Sequence, residues 1–211
     1  VRKLGKDAMP ADDTAWAVLS PPKRLSILLV TRGNLAVERA LRACSPGQLK
    51  VVSPDEFDQM DQDAMAVKGT YDVIVLDGCA PPKLPRGRFL VLGQVPSPLG
   101  EITGGELAGQ RVVDWRARHP VLQHVNLGNV YVAGAVRLKP PRDAVVLAEF
   151  AESPAMILLS RKGSTYLITS FDVLKSNWPF EVSFVMFCVN ATKFLGMELA
   201  ADTGDQLVCQ V

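Results

Sequence analysis

Arg88-Phe-Leu-Val-Leu-Gly-Gln-Val-Pro-Ser-Pro98 is the stretch that decides how this chain is read. Its first five residues are almost continuously apolar and end at a glycine. They read as a buried strand running into a turn. In α/β hydrolytic enzymes such a turn holds the nucleophile, with small residues on its flanks and a helix starting behind it. Gly93 fits the flank, but Gln94, Val95 and Pro96 stand where Cys or Ser would be needed. Ser97 lies between two prolines, and the residue before a proline is pushed out of the helical region. The strand argues for an α/β fold, while its turn argues against acyl transfer.

The neighbouring segments extend the α/β reading. Leu25-Ser-Ile-Leu-Leu-Val30 and Asp72-Val-Ile-Val-Leu76 are short and apolar, as strands covered on both faces should be. Between them, Asn34 can cap a helix whose apolar positions are Leu35, Val37, Ala40 and Leu41. Leu49-Lys-Val-Val-Ser53 reads as a further strand, and Ser53 or Asp55 opens a short helix through Phe57 and Met60. Strand and helix alternate, which predicts right-handed crossovers and a three-layer α/β domain with a mostly parallel sheet.

The second half reads as an antiparallel β meander. Strands are predicted at Arg111-Val-Val-Asp114, Asn129-Val-Tyr-Val-Ala133, Val145-Val-Leu-Ala-Glu-Phe150, Met156-Ile-Leu-Leu159 and Thr165-Tyr-Leu-Ile-Thr-Ser170. A final helix follows Trp178-Pro179, with Phe184, Phe187, Cys188, Ala191, Phe194 and Leu195 on one stripe. The expected layout is a lead-in over 1–24, an α/β domain over 25–200 and a tail over 201–211.

Composition sets broad limits. The chain has 211 residues, 23 basic and 22 acidic side chains and a net charge of +1, so nothing points to a nucleic-acid stripe. No apolar run approaches the roughly 20 residues of a membrane span. The cysteines Cys44, Cys79, Cys188 and Cys209 form no CxxC pair and read as small buried hydrophobes. With His119 and His124 as the two histidines, no metal site is expected and no cofactor motif is present.

Ligands of open α/β sheets bind beyond the carboxyl ends of the strands. That rule selects Arg32 after the first strand, and Asp77 and Cys79 after the third. A catalytic Cys79 would need a lowered thiol pKa and a base, for which His119 or His124 is the available imidazole. Asp114-Trp115-Arg116-Ala-Arg118-His119 joins an aromatic ring to cations and could hold an acidic ligand. Alternatively, Trp115 plugs a sheet edge. The candidate ligand set is Arg32, Asp77, Trp115 and Arg118, with Cys79 and His119 as the catalytic candidates. Asp55, Glu56, Asp58, Asp61 and Asp63 run through one polar stretch and read as a solvated face.

Leu25-Ser-Ile-Leu-Leu-Val-Thr-Arg-Gly-Asn34, Tyr71-Asp-Val-Ile-Val-Leu-Asp-Gly78 and His119-Pro-Val-Leu122 together resemble one family. It is the class I glutamine amidotransferase-like, flavodoxin-type domain of bacterial membrane proteins that also carry a von Willebrand factor A domain and are similar to aerotolerance-operator proteins. Val146-Leu-Ala-Glu149, Ser153-Pro-Ala155, Phe171-Asp-Val-Leu-Lys-Ser-Asn-Trp-Pro179 and the lead-in Met9-Pro-Ala-Asp-Asp-Thr-Ala-Trp16 fit the same pattern. The resemblance implies an amidotransferase-type sheet. It also implies a parent anchored by membrane segments outside this chain, this domain lying outside the cytoplasm, which suits a chain that opens at Val1. Class I amidotransferases use a Cys, a late His and a Glu. Here the turn holds Gln94-Val95, and no histidine follows His124. The expected role is a non-catalytic interaction or scaffolding module, partnered by other domains of the parent or by other proteins. The alternatives are a small-ligand or carbohydrate binder and a degenerate amidotransferase or hydrolase.

Overall fold

The computed structural model describes residues 24–202. The lead-in strand expected around Trp16, the tail beyond Asp202 and Cys209 lie outside the described residues.

Five strands run parallel in the order β2 (Gln48–Val52), β1 (Ser26–Val30), β3 (Val73–Asp77), β4 (Arg88–Leu92) and β10 (Ser164–Thr169). The sheet continues antiparallel through β9 (Pro154–Arg161), β8 (Val145–Glu149) and the short β6 (Asp114–Trp115). The expected mostly parallel sheet and its antiparallel meander are both present.

Period-2 alternation feeds two cores from single strands. In β1, Ile27 and Leu29 join one core, while Leu28 and Val30 join the other. The first core lies under α1 (Leu35–Ala43) and α4 (Val182–Asp202), through Val37, Leu41, Phe184, Phe187 and Leu195. The second lies under α2 (Pro54–Gln59) and α3 (Gln62–Lys68), through Phe57 and the partly buried Met60 and Met65.

Local chemistry places the helix starts. Asn34 caps α1 by accepting from the Ala36 and Val37 amides. Ser53 and Glu56 close a capping box on α2. Asp61 caps α3, and Asp55, Glu56, Asp58, Asp61 and Asp63 are all exposed, the solvated face expected of them. On α4, Phe184, Phe187, Cys188, Ala191 and Leu195 are buried as expected, but Val182 and Val185 are exposed on other faces.

The second half departs from expectation at one element. The strand expected at 111–114 is two pieces: Arg111 ends the long β5 (Glu101–Arg111), and Asp114 starts β6. β5 pairs antiparallel with β7 (Tyr131–Lys139) as a separate ribbon. This ribbon bends over the carboxyl end of β10. The Val136 amide donates to the Ser170 carbonyl, and Ala135 bridges Phe171. Among the described residues no helix is long and apolar enough to cross a membrane.

Candidate functional site

The carboxyl ends of β1, β3, β4 and β10 meet the β5–β7 ribbon around an open cleft of about 480 Å³. Its polar side chains come from separate elements: Arg32 after β1, Gln94 after β4, Glu106 on β5, and Asp172 and Lys175 after β10.

Below the cleft lies a buried polar knot. Asp77 accepts from Thr31 Oγ1 at 2.6 Å and from Asn34 Nδ2 at 3.0 Å. Thr31 Oγ1 in turn accepts from the Gly33 and Asn34 amides. Burial pushes the Asp77 carboxyl above its ordinary pKa, and the two donors oppose that shift without cancelling it. Both carboxylate oxygens are thus engaged in holding the β1–α1 turn, while Arg32 projects from that turn, exposed.

The turn after β4 is closed around its glycine. Gly93 has φ of +91°, and its amide donates to Thr169 Oγ1. A Cβ here would lie 3.1 Å from the Cα of Asp172. Gln94 follows, exposed, at the place of a nucleophile. Ser97 starts a single 3-10 turn, Ser97–Leu99, rather than a helix. Asp172 Oδ1 caps the next 3-10 turn, Val173–Lys175, by accepting from the Leu174 amide. Lys175 Nζ pairs with Glu106 at 2.8 Å across the cleft mouth.

Cys79 is buried in the α2–α3 core, and its thiol reaches the Val30 carbonyl at 3.7 Å. Burial first, and then the Asp77 carboxylate, push the thiol up to about 11, so it stays protonated near neutral pH. Cys44, Cys79 and Cys188 are free thiols.

The imidazoles lie elsewhere. The His119 ring sits 5.3 Å from Phe194, and nearby on α4 a Cβ at Gly196 would strike Leu25, the residue before β1. His119 is therefore at the amino end of the parallel strands, on the α1–α4 face. Its Nδ1 accepts from the Val121 amide, and burial followed by Arg116 lowers its pKa. His124 follows the turn that His119 caps, with φ of +60°. Neither imidazole meets Cys79 or Ser97, whose neighbours Val95 and Leu99 lie in the opposite core.

The four ligand candidates are not brought together. Arg32 and Asp77 share the β1–β3 end. Trp115 lies on β6, six places from β1 in the sheet order, or ~29 Å at about 4.8 Å per strand. Trp115 packs against the first core, as the edge plug of the alternative reading. Arg118 is exposed on the turn leading to His119. Gln94, Glu106, Asp172 and Lys175 were missed as a set. The strand-end rule, applied to β10, would have found Asp172.

No protein-family model and no curated protein matches the chain. Solved structures do. A cytoplasmic protein of Salmonella typhimurium superposes with a TM-score of 0.63 at 12% identity, covering 81% of this chain and 98% of its own. A putative GMP synthase protein of Thermoplasma acidophilum gives 0.59 at 14% identity, over 87% of this chain and 100% of its own. A putative ThuA-like protein of Parabacteroides merdae gives 0.55 at 12% identity, over 83% and 91%. The chain has a glutamine amidotransferase-like α/β fold. At these identities the likeness carries the fold and no activity.

Proposed function

We propose that this chain is a non-catalytic recognition module, an amidotransferase-like frame used for binding. One observation carries the reading: the turn after β4 offers Gln94 to the cleft where such enzymes hold their nucleophile. Two others support it. The nearest thiol, Cys79, is buried and protonated, His119 lies at the far end of the sheet, and the neighbour of His124, Val125, lies in the core on the opposite face from Cys79. Acyl transfer without an attacking group and a proton acceptor loses the terms that lower its barrier. Incubation with glutamine and with simple aryl esters tests this. The expected result is no turnover above that of the Cys79→Ala variant, and turnover abolished by that substitution would overturn the reading.

The resemblance in sequence pattern extends the proposal to the parent. It is a bacterial protein anchored in the membrane by segments outside this chain, carrying a von Willebrand factor A domain, with this module outside the cytoplasm. The module would then contact other domains of that parent or other proteins.

A second reading, a binder of small polar ligands, is favoured by the cleft itself. It has the volume of a ligand site and is lined by Arg32, Asp172 and the Glu106–Lys175 pair. Thermal shift with monosaccharides and dicarboxylates tests it. A stabilisation lost in Arg32→Ala supports this reading, and no shift with either class removes it.

A further inference from the structure

Next to the cleft, across the 3-10 turn Val173–Lys175, lies a second opening of different character. This groove of about 440 Å³ runs between α1 and the start of α4, lined by Leu35, Arg39, Leu174, Pro179, Phe180 and Val185. Its apolar side chains are unusually bare. Phe180 is 90% exposed, Leu35 65% and Leu174 63%, and Val182 beside them is 79% exposed. Scattered apolar residues are ordinary on a surface, but a cluster rimming one groove marks an interaction site.

The charges around the groove have one dominant sign. Arg39 lines it, and Arg32 stands on the cleft side, so the two bracket Leu35 along the chain. Among the described residues neither arginine forms an ion pair. The nearby carboxylates are mostly committed: Glu38 to Arg42, Glu106 to Lys175, and Asp172 to the Leu174 amide. Glu181, which follows Phe180 and does not line the groove, precedes the first turn of α4, where the helix dipole favours a negative charge. The surface therefore offers bare apolar contacts flanked by two uncommitted guanidinium groups. Arginine is suited to pairing with carboxylates at an interface, and aromatic anchors dominate such contacts.

We propose that this groove docks an acidic amphipathic segment of a partner protein, its apolar side chains against Phe180, Leu174 and Leu35 and its carboxylates against Arg39 and Arg32. The inference rests on the recognition-module reading and supplies its partner class. Arg39 and Phe180 set the specificity. An apolar segment without acids leaves two guanidinium groups half desolvated, and a basic one is repelled.

The probes are two fluorescein-labelled helical peptides of identical apolar pattern, one with Glu and one with Lys on its polar face. Fluorescence anisotropy is read with the full chain. The expected result is saturable binding of the Glu peptide and at least tenfold weaker binding of the Lys peptide. Phe180→Asp should weaken the Glu peptide at least tenfold with an unchanged thermal midpoint, since that side chain touches little of the fold. Arg39→Glu should reverse the preference between the peptides. Equal binding of both peptides, or indifference to Phe180→Asp, overturns the proposal. Two other outcomes also overturn it by naming a different occupant. One is concentration-dependent self-association, lost in Phe180→Asp, which would make a second copy the partner. The other is peptide binding that appears only in Trp16→Ala, which would make the chain's own lead-in the cover. Turnover decides the non-catalytic reading and peptide binding decides this one, so each can fail alone.

Discussion

Thr31 Oγ1 donates to Asp77 Oδ2 across 2.6 Å, joining the turn after β1 to the carboxyl end of β3. The residues are 46 apart in sequence, yet this bond sets the helix start behind it. Thr31 also accepts the Gly33 and Asn34 amides, and Asn34, which donates to Asp77 itself, caps α1. The buried carboxyl thus organises the turn from which Arg32 projects.

Asp77→Ala should destabilise the chain by ~1–3 kcal/mol for each donor left unsatisfied, read from urea denaturation near neutral pH. A milder change tests the electrostatics. The folded pKa of Asp77 is raised above its ordinary 3.8, so its contribution is full below that value and is lost as pH rises through the folded value. Asp77→Asn carries no charge at any pH. The stability of the native chain relative to this variant should therefore fall as pH rises from about 4 towards neutrality. A difference that grows with pH would mean that the two donors outweigh burial.

Cys79 and Cys188 should resist alkylation in the folded chain. Both are buried, and burial raises both thiols, Cys79 to about 11. Iodoacetamide near neutral pH followed by peptide mass mapping should label them only in urea. Rapid native labelling of Cys79 would restore it as a nucleophile candidate.

The strands β1, β3 and β4 were legible in the sequence because burial on both faces demands unbroken apolar runs. β5 was not. Most of its residues are exposed and it holds several glycines, so no alternation marks it, and its pairing with β7 creates the strand. The site followed the same division. Arg32 and Asp77 came from the strand-end rule, which needs only local pattern. Glu106 and Lys175 face each other only because the ribbon folds over β10, a tertiary event with no local signal. Trp115 and Arg118 failed as cleft residues because their places depend on strand order. β6 lies at the far edge, and the chain after it runs towards the amino ends.

Gly93→Ala should be costly although it adds one methyl group. With φ of +91° the backbone lies where L-residues are strained, and the new Cβ would meet backbone atoms of Asp172 at 3.1 Å. Strain of about 1–2 kcal/mol from the dihedral alone is expected, plus the displacement of Asp172. Urea midpoints measure the loss. A loss within experimental error would show that the turn after β4 relaxes freely, and the cleft floor would not be held by this contact.

Trp178 anchors the last helix to the sheet, and its removal should be among the most damaging of these changes. The indole is fully buried, with its centroid 4.8 Å from Phe187, 5.4 Å from Phe184 and 5.9 Å from Phe171. Its Nε1 donates to Ser183 Oγ at 3.1 Å, so the polar end is satisfied as well. Trp178→Ala would open a cavity among three aromatic rings, and such truncations cost ~3–5 kcal/mol. Ser183→Ala removes only the acceptor and should cost less, about 1–3 kcal/mol for the stranded N–H. Because Pro179 and Phe180 follow directly on Trp178, the same cavity should loosen the groove wall. Hydrogen exchange should therefore rise in the segment 178–187 of Trp178→Ala well before global unfolding. Exchange unchanged there, in a variant still folded, would mean that α4 is held by its contacts with β3 and β4 rather than by this ring.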